Sequence, residues 1–332
     1  AGGRGVDSPA IEFPLTLETQ ALNIGSLRVA WSGGYWQQGA LSGSVRVQQS
    51  TIEVYSAQIE QPTLTLFSGD AQQEAQASIV LPVIDLPLAL VVDEIYLHNP
   101  QWDIDGAAGQ LDTLTLRGEW QRTALELRAL EVRSAELGEL LLSGRLAFSG
   151  RWPLQAEATV ALPDQFQYPR LFNGTLAMSA DGDLSALALN VSSDSPVSVQ
   201  GEVEVDVLSA GLPFSMHATA MSGEPLLLSS LGELPEVLKD ATLRFPLTVT
   251  ANGSIESQHF ELLGSARGLG YGLLEIALHG QHESGQLSLS ELAVQSVEGD
   301  NTMHASGELL LSPAVNWSLA VQSGGLDLPA LS

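Results

Sequence analysis

The 332-residue chain carries 39 acidic and 13 basic side chains, a net charge of −26, which disfavours nucleic acid and anionic membrane surfaces because both partners are negative. It has no cysteine, which removes disulfide frameworks and thiolate metal sites, and no run of about 18 or more uninterrupted apolar residues that would cross a bilayer as a helix. Charged residues are 16% and hydrophobic ones 44%, a balance that excludes disorder and calls for a large packed or ligand-covered apolar surface.

In chain order, the first clear alternation is SGSVRV (42–47), followed by LDTLTLRGEW (111–120) and ALELRALEVRS (124–134). Apolar and polar residues take turns with period two, the signature of strands with one dry and one wet face. The run SGRLAFSGRWPLQAEATVAL (143–162) is the most regular: Trp152, Leu154, Ala156, Ala158, Val160 and Leu162 all fall on even positions. VSVQGEVEVDV (197–207) sets Val197, Val199, Gly201, Val203, Val205 and Val207 against Ser198, Gln200, Glu202, Glu204 and Asp206. RFPLTVTA (244–251), TMHASGELLLS (302–312) and NWSLAVQS (316–323) repeat the pattern. The best helical spacing lies in GEPLLLSSLGELPEVLKDA (223–241), where one short helix is expected, with Pro235 in its first turn.

Turn signals separate these runs at Gly33-Gly34, Ser149-Gly150, Asp181-Gly182 and Asn252-Gly253. Two weak repeats emerge. A polar residue followed by Gly recurs at Ser143-Gly144, Gln200-Gly201 and Ser306-Gly307 and is read as a strand opening. An apolar-Pro-apolar step recurs around Pro14, Pro87, Pro153, Pro213 and Pro246, at or near strand starts, where a missing N–H is tolerated.

The order LPVIDLPLALVVDEIYLHNPQWDIDG (81–106), LDTLTLRGEW, ALELRALEV and LLLSGRLAFSGRWPLQAEATVAL (140–162) resembles the periplasmic region of TamB-like proteins, of the translocation and assembly module, within the wider AsmA-like bridge proteins. The run SGELLLSPAVNWSLAVQSGGLDLPAL (306–331) looks like the same family's repeat. The resemblance implies an all-β fold: an elongated, mostly antiparallel repeat sheet curled into a taco-like open groove, with one short helix. Residues 1–10 are expected to be disordered and 11–332 to form one continuous groove without independent domains. With a Met-less start and strand-like sequence running close to the end, the sequence is expected to be a piece of a longer chain, with any signal or anchor outside it.

The function implied is a non-enzymatic lipid conduit, a segment of a periplasmic bridge that carries phospholipids between inner and outer membranes, in a full-length chain anchored in the inner membrane of a Gram-negative bacterium. The alternative is a scaffold or chaperone-like module for assembly of outer-membrane or secreted β-proteins with an Omp85-class barrel partner, engaged through a C-terminal region outside this sequence. The residues expected to line the path for phospholipid acyl chains are Leu142, Leu146, Phe148, Leu154, Val160, Val199, Val203, Val205, Leu247, Val249, Leu309, Leu311, Leu319 and Val321.

Other readings carry less. A β-sandwich would alternate in the same way; a transmembrane barrel would add aromatic girdles, which the scattered five Tyr, eight Phe and six Trp do not form. Asp103-Ile104-Asp105-Gly106 and Asp181-Gly182-Asp183 lack the distant Glu of a calcium loop and read as turns. His279 and His282 are expected on opposite strand faces, Gly268, Gly270 and Gly272 are too closely spaced for a dinucleotide fingerprint, and no nucleophile elbow is present. No catalytic residue, metal or cofactor is expected.

Overall fold

The computed structural model describes residues 13–31, 33–67, 81–163, 174–193, 197–230, 240–268, 272–283, 286–310 and 316–325. The chain is all-β and mostly antiparallel, and its sheet is not closed into a barrel. It divides into two compact units: one reaches Leu187 apart from Gln167–Asn173, and the other holds that segment and Ala188–Ser332.

Unit one contains strands β1 (Phe13–Ile24), β2 (Leu27–Trp31), β3 (Gly34–Gln38), β4 (Leu41–Gln49), β5 (Thr51–Glu60), β6 (Thr63–Leu66), β7 (Ala89–His98), β8 (Gln101–Ile104), β9 (Ala107–Gln110), β10 (Thr113–Gln121), β11 (Ala124–Ser134), β12 (Gly138–Ala147), β13 (Leu154–Ala161) and β14 (Thr175–Asp183). Its main sheet runs β1-β4-β5-β7-β10-β11-β12-β13-β14, antiparallel except for β5–β7. A second sheet, β2-β3-β6-β8-β9, continues from the ends of the first four of these strands, antiparallel except for β6–β8. The bends into it come at Gln61-Pro62 and Asn99-Pro100, where Gln61 and Asn99 take φ of 47° and 50° and both prolines are buried. A left-handed residue before a proline ends one ladder and redirects the chain, because the proline cannot donate to a continuing one.

Unit two follows β15 (Ala186–Ser193) with β16 (Ser198–Val205), β17 (Phe214–Met221), β18 (Leu226–Leu227), β19 (Thr242–Gly253), β20 (Ser257–Arg267), β21 (Leu273–Glu283), β22 (Gln286–Ser296), β23 (Thr302–Leu310) and β24 (Asn316–Gly324). From β16 each strand pairs antiparallel with the next, β17 pairing with β19 and the two-residue β18 joining β19 alongside. Where a short helix is expected, residues 226–230 form β18 and a 3-10 turn over Leu228–Ser230; residues 231–239 lie outside the described ones.

The alternation appears as expected in β13 and β16, whose side chains switch strictly between half-buried and exposed over 154–160 and 199–205. Four of the five proline steps stand at or just before strand starts, but Pro246 lies inside β19, where the pairing with β20 jumps between Arg244 and Thr248. The polar-Gly pairs are corrected more fully: Gly144, Gly201 and Gly307 sit within β12, β16 and β23 and do not open them.

Candidate apolar trough

In an antiparallel ladder, residues directly opposite share a face, so the registers trace side chains across the sheet. In unit one a row at one end of the strands runs Leu17, Val47, Ile52, Leu90, Trp120, Leu125, Leu146 and Leu154. At the other end the row is Ile24, Leu41, Ile59, Leu97, Leu114, Val132, Leu140, Val160 and Leu176. Two rows lie between them: Thr19, Val45, Val54, Val92, Gly118, Leu127, Gly144, Ala156 and Ala180, and then Leu22, Gly43, Ala57, Ile95, Leu116, Leu130, Leu142, Ala158 and Met178. No side chain in the four rows is charged. In unit two, Val203, Met216, Ala251, Phe260, Gly280, Leu289 and Gly307 form one such row, and Gly201, Ala218, Val249, Leu262, Leu278, Leu292, Ala305 and Val321 the next.

The face is lined and not filled. Of the unit-one rows Val92 (4% exposed) and Ala57 are buried among the apolar side chains, while most of the others are half-buried. Inner faces of a sandwich interdigitate with a second sheet and bury such positions. Among the described elements these strands make their contacts with strands of their own sheet, and the apolar side chains stay half-buried.

Bulges shape this face. In β5, β7, β11 and β22 the apolar positions change parity midway: Ile52 and Val54 give way to Ala57 and Ile59, Leu90 and Val92 to Ile95 and Leu97, Leu125 and Leu127 to Leu130 and Val132, Leu287 and Leu289 to Leu292 and Val294. An extra residue in one strand bends it and increases its twist. The unbulged neighbours answer with glycine. A Cβ on Gly43 or Gly118 would press on the Ser56 or Glu126 carbonyl beside the bulge, and one on Gly264 or Gly280 on the Leu247 or Phe260 side chain. The bulge in β7 is also sealed from outside, where Arg128 Nη2 donates to the Val92 carbonyl at 2.7 Å.

One end of the unit-one face is closed by aromatics. Phe148, 9% exposed, stands in the β12–β13 turn with its ring 4.9 Å from both Trp120 and Trp152. The segment before β7 runs across these tips. Ile84 N–H donates to the Phe148 carbonyl and Leu86 N–H to the Arg122 carbonyl, each at 3.0 Å, Asp85 pairs with Arg122 at 2.9 Å, and Trp152 Nε1 donates to the Pro82 carbonyl at 3.0 Å.

The opposite face carries the charge. Arg117 lies between Glu94 (2.7 Å) and Glu131 (2.9 Å), and Arg46 between Glu18 (3.1 Å) and Glu53 (3.4 Å). The hydrogen bond that Arg117 donates to Glu94 is the foremost cause that raises its pKa, and the one that Arg46 donates to Glu18 does the same for Arg46. In unit two His279 lies 3.7 Å from Glu261 and His304 3.3 Å from Glu291 on this outer side. His282 stands on the apolar side opposite Gln258 and Leu287, so the two histidines of β21 do face apart. Asp103 accepts the Gly106 N–H at 2.9 Å and Asp183 the Ser185 N–H and hydroxyl, so both acidic clusters serve turns. Among the described residues no three His, Asp or Glu side chains are grouped to hold a metal, and no helix is long and apolar enough to cross a membrane.

Of the expected lining residues, the registers place Leu142, Leu146, Leu154 and Val160 in the unit-one rows, and Val203, Val249 and Val321 in the two unit-two rows above. Val199 and Val205 flank Val203 on the same strand face, and Leu247 packs over Gly264. Phe148 belongs to the aromatic end closure, and Val321 is 45% exposed. Leu309 and Leu319 fall opposite Leu287 and Gly307 by register, and Leu311 lies outside the described residues. The lining residues from Val45 to Val132 are absent from the expected set, although the runs 42–47, 111–120 and 124–134 read as alternating strands. Their signal was there as the parity change within runs such as ALVVDEIYL.

No curated protein and no solved structure matches this chain. The family model described as "TamB, N-terminal domain" matches residues 6–331, nearly the whole length, and so the chain belongs to the TamB family of bacterial envelope proteins.

Proposed function

We propose that the apolar face of each unit holds phospholipid acyl chains and that the protein is a non-enzymatic segment of a conduit between the inner and outer membranes, lying in the periplasm and belonging to a chain anchored in the inner membrane. The observation that carries this reading is the set of four largely apolar rows, one crossing eight and three crossing nine strands of unit one, without a charged side chain. Each methylene exposed to water costs about 0.8 kcal/mol, so a lipid crosses an aqueous gap only if its chains stay covered at every step. A lining of Leu, Val, Ala, Ile and Gly provides that cover without hydrogen-bonding anchors, which would arrest a moving ligand.

The test uses one strand with two faces. A photo-crosslinking side chain at Leu146, in the trough, is expected to capture phospholipid in cells, and the same group at Arg145, whose side chain is on the outer face 3.5 Å from Glu126, is not. Equal capture at both positions, or none at Leu146, overturns the conduit; capture of polypeptide at Leu146 in its place favours an assembly scaffold.

A further inference from the structure

Strands β1 and β2 form one border of unit one. Among the described residues β1 pairs only with β4, and β2 only with β3. The two strands are separated by only Gly25-Ser26, and the border from Leu15 to Trp31 concentrates exposed apolar side chains: Leu15 (70%), Leu17 (62%), Leu27, Val29 (49%) and Trp31 (46%). A long edge with exposed apolar residues and few charges is a template for another strand.

The sequence of this border is complementary to its own reverse. LTLETQALNIGSLRVAW (15–31), laid antiparallel against a second copy about Asn23, sets Leu15 opposite the partner's Trp31 and Leu17 opposite the partner's Val29. Leu22 then meets the partner's Ile24, and Asn23 meets itself on the two-fold axis. The only two charged residues of the stretch, Glu18 and Arg28, fall opposite each other. The irregular points coincide as well. The register of β1 slips between Thr19 and Leu22, and Gln20-Ala21 come to lie opposite the partner's Ser26-Gly25, where β1 gives way to β2.

We infer that this border is a homodimer interface, in which two copies pair β1–β2 edge to edge about a two-fold axis at Asn23. Such an isologous contact satisfies the free backbone groups of both copies at once. It also supplies two Glu18–Arg28 pairs. Glu18 already receives Arg46 through Oε2 alone, leaving Oε1 for the partner's guanidinium, and Arg28, 4.4 Å above the Tyr35 ring, has no carboxylate partner among the described residues. The inference does not depend on what the trough holds, since it rests on the backbone edge, although Leu17, Leu22 and Ile24 of this border also begin trough rows.

The chain has no cysteine, so the axis can be tested directly. Under mild oxidation Asn23→Cys is expected to form a disulfide dimer, Thr16→Cys alone is not, and the Thr16→Cys/Ala30→Cys pair is. In sedimentation velocity the 332-residue chain is expected to dimerise reversibly. Glu18→Arg and Arg28→Glu should each weaken the dimer about tenfold, a coupling of roughly 1.4 kcal/mol, and the charge-swapped double variant should regain it. Circular dichroism of each variant separates loss of pairing from loss of fold. A monomer at every concentration, Thr16→Cys crosslinking as readily as Asn23→Cys, failure of the double swap to restore pairing, or a foreign strand recovered at Asn23 each overturns the interface.

Discussion

The two units solve the same packing problem in different ways. In unit one the glycines beside the bulges meet backbone: a side chain at Gly43, Gly118 or Gly144 would collide with the carbonyl of Ser56, Glu126 or Gln155. In unit two a Cβ on Gly264 would meet only the Leu247 side chain, and one on Gly280 would meet the Phe260 ring first, with the Ser288 carbonyl at 3.0 Å behind it. The difference teaches that glycine on a trough floor serves two ends. It lets a bent neighbour's backbone come close, or it makes a socket for a large residue on the next strand. Backbone cannot move without breaking its ladder, whereas a side chain can change rotamer.

The sharpest way to break this comparison is Gly118→Val. Its side chain meets a fixed carbonyl, and the variant is expected to lose about 3 kcal/mol, the upper part of the range for overpacking, in urea denaturation. Truncating the facing Leu127 to Ala should not recover it. Gly264→Ala in unit two is expected to cost about 1 kcal/mol, but in a double-mutant cycle with Leu247→Ala the two changes should couple favourably by about 1 kcal/mol, because the truncated neighbour vacates the space. Additive costs in unit two, or equal coupling in unit one, would erase the distinction.

The smallest effect concerns charge in the last turn of unit one. Asp183 accepts the Ser185 hydroxyl at 2.6 Å and the Ser185 N–H at 2.8 Å, the hydroxyl bond foremost in holding its pKa below the ordinary value. A carboxylate lowered in the folded state stabilises above its unfolded pKa of about 3.9, and that contribution fades as pH falls through the lower folded value. Asp183→Asn should therefore fall below the wild type in urea midpoint near neutral pH, with the gap closing below about pH 4; a gap that stays constant with pH would locate the role in the turn's geometry and not in the charge.

How much was legible depended on the regularity of each strand. In β13 and β16 no bulge intervenes, period two holds from end to end, and the inward set of Leu154, Val160, Val199, Val203 and Val205 could be read directly. In β7 the run ALVVDEIYLH contains the inward residues Leu90, Val92, Ile95 and Leu97, but Asp93-Glu94 shifts the phase, so one alternation count finds half of them at a time. The polar-Gly pairs looked like strand openings because glycine usually punctuates. Their place in mid-strand follows only from neighbouring strands, as with Gly144 between Leu127 and Ala156. Phe148 shared the composition of a lining residue, and only the turn geometry put it between two tryptophans.

The sequence by itself determined that the chain is β-structured, that its long regular strands have one apolar and one polar face, and which family it resembles. These follow from local side-chain order, because a pleated strand sends successive residues to opposite faces wherever it lies. Only the tertiary structure decided which strands lie side by side, that β5 runs parallel to β7, that bulges and glycines face one another, and that the apolar face is left half-covered. Those depend on pairing between residues far apart in sequence, and backbone hydrogen bonds join strands of almost any composition, so register is set by the whole sheet and not by any one strand.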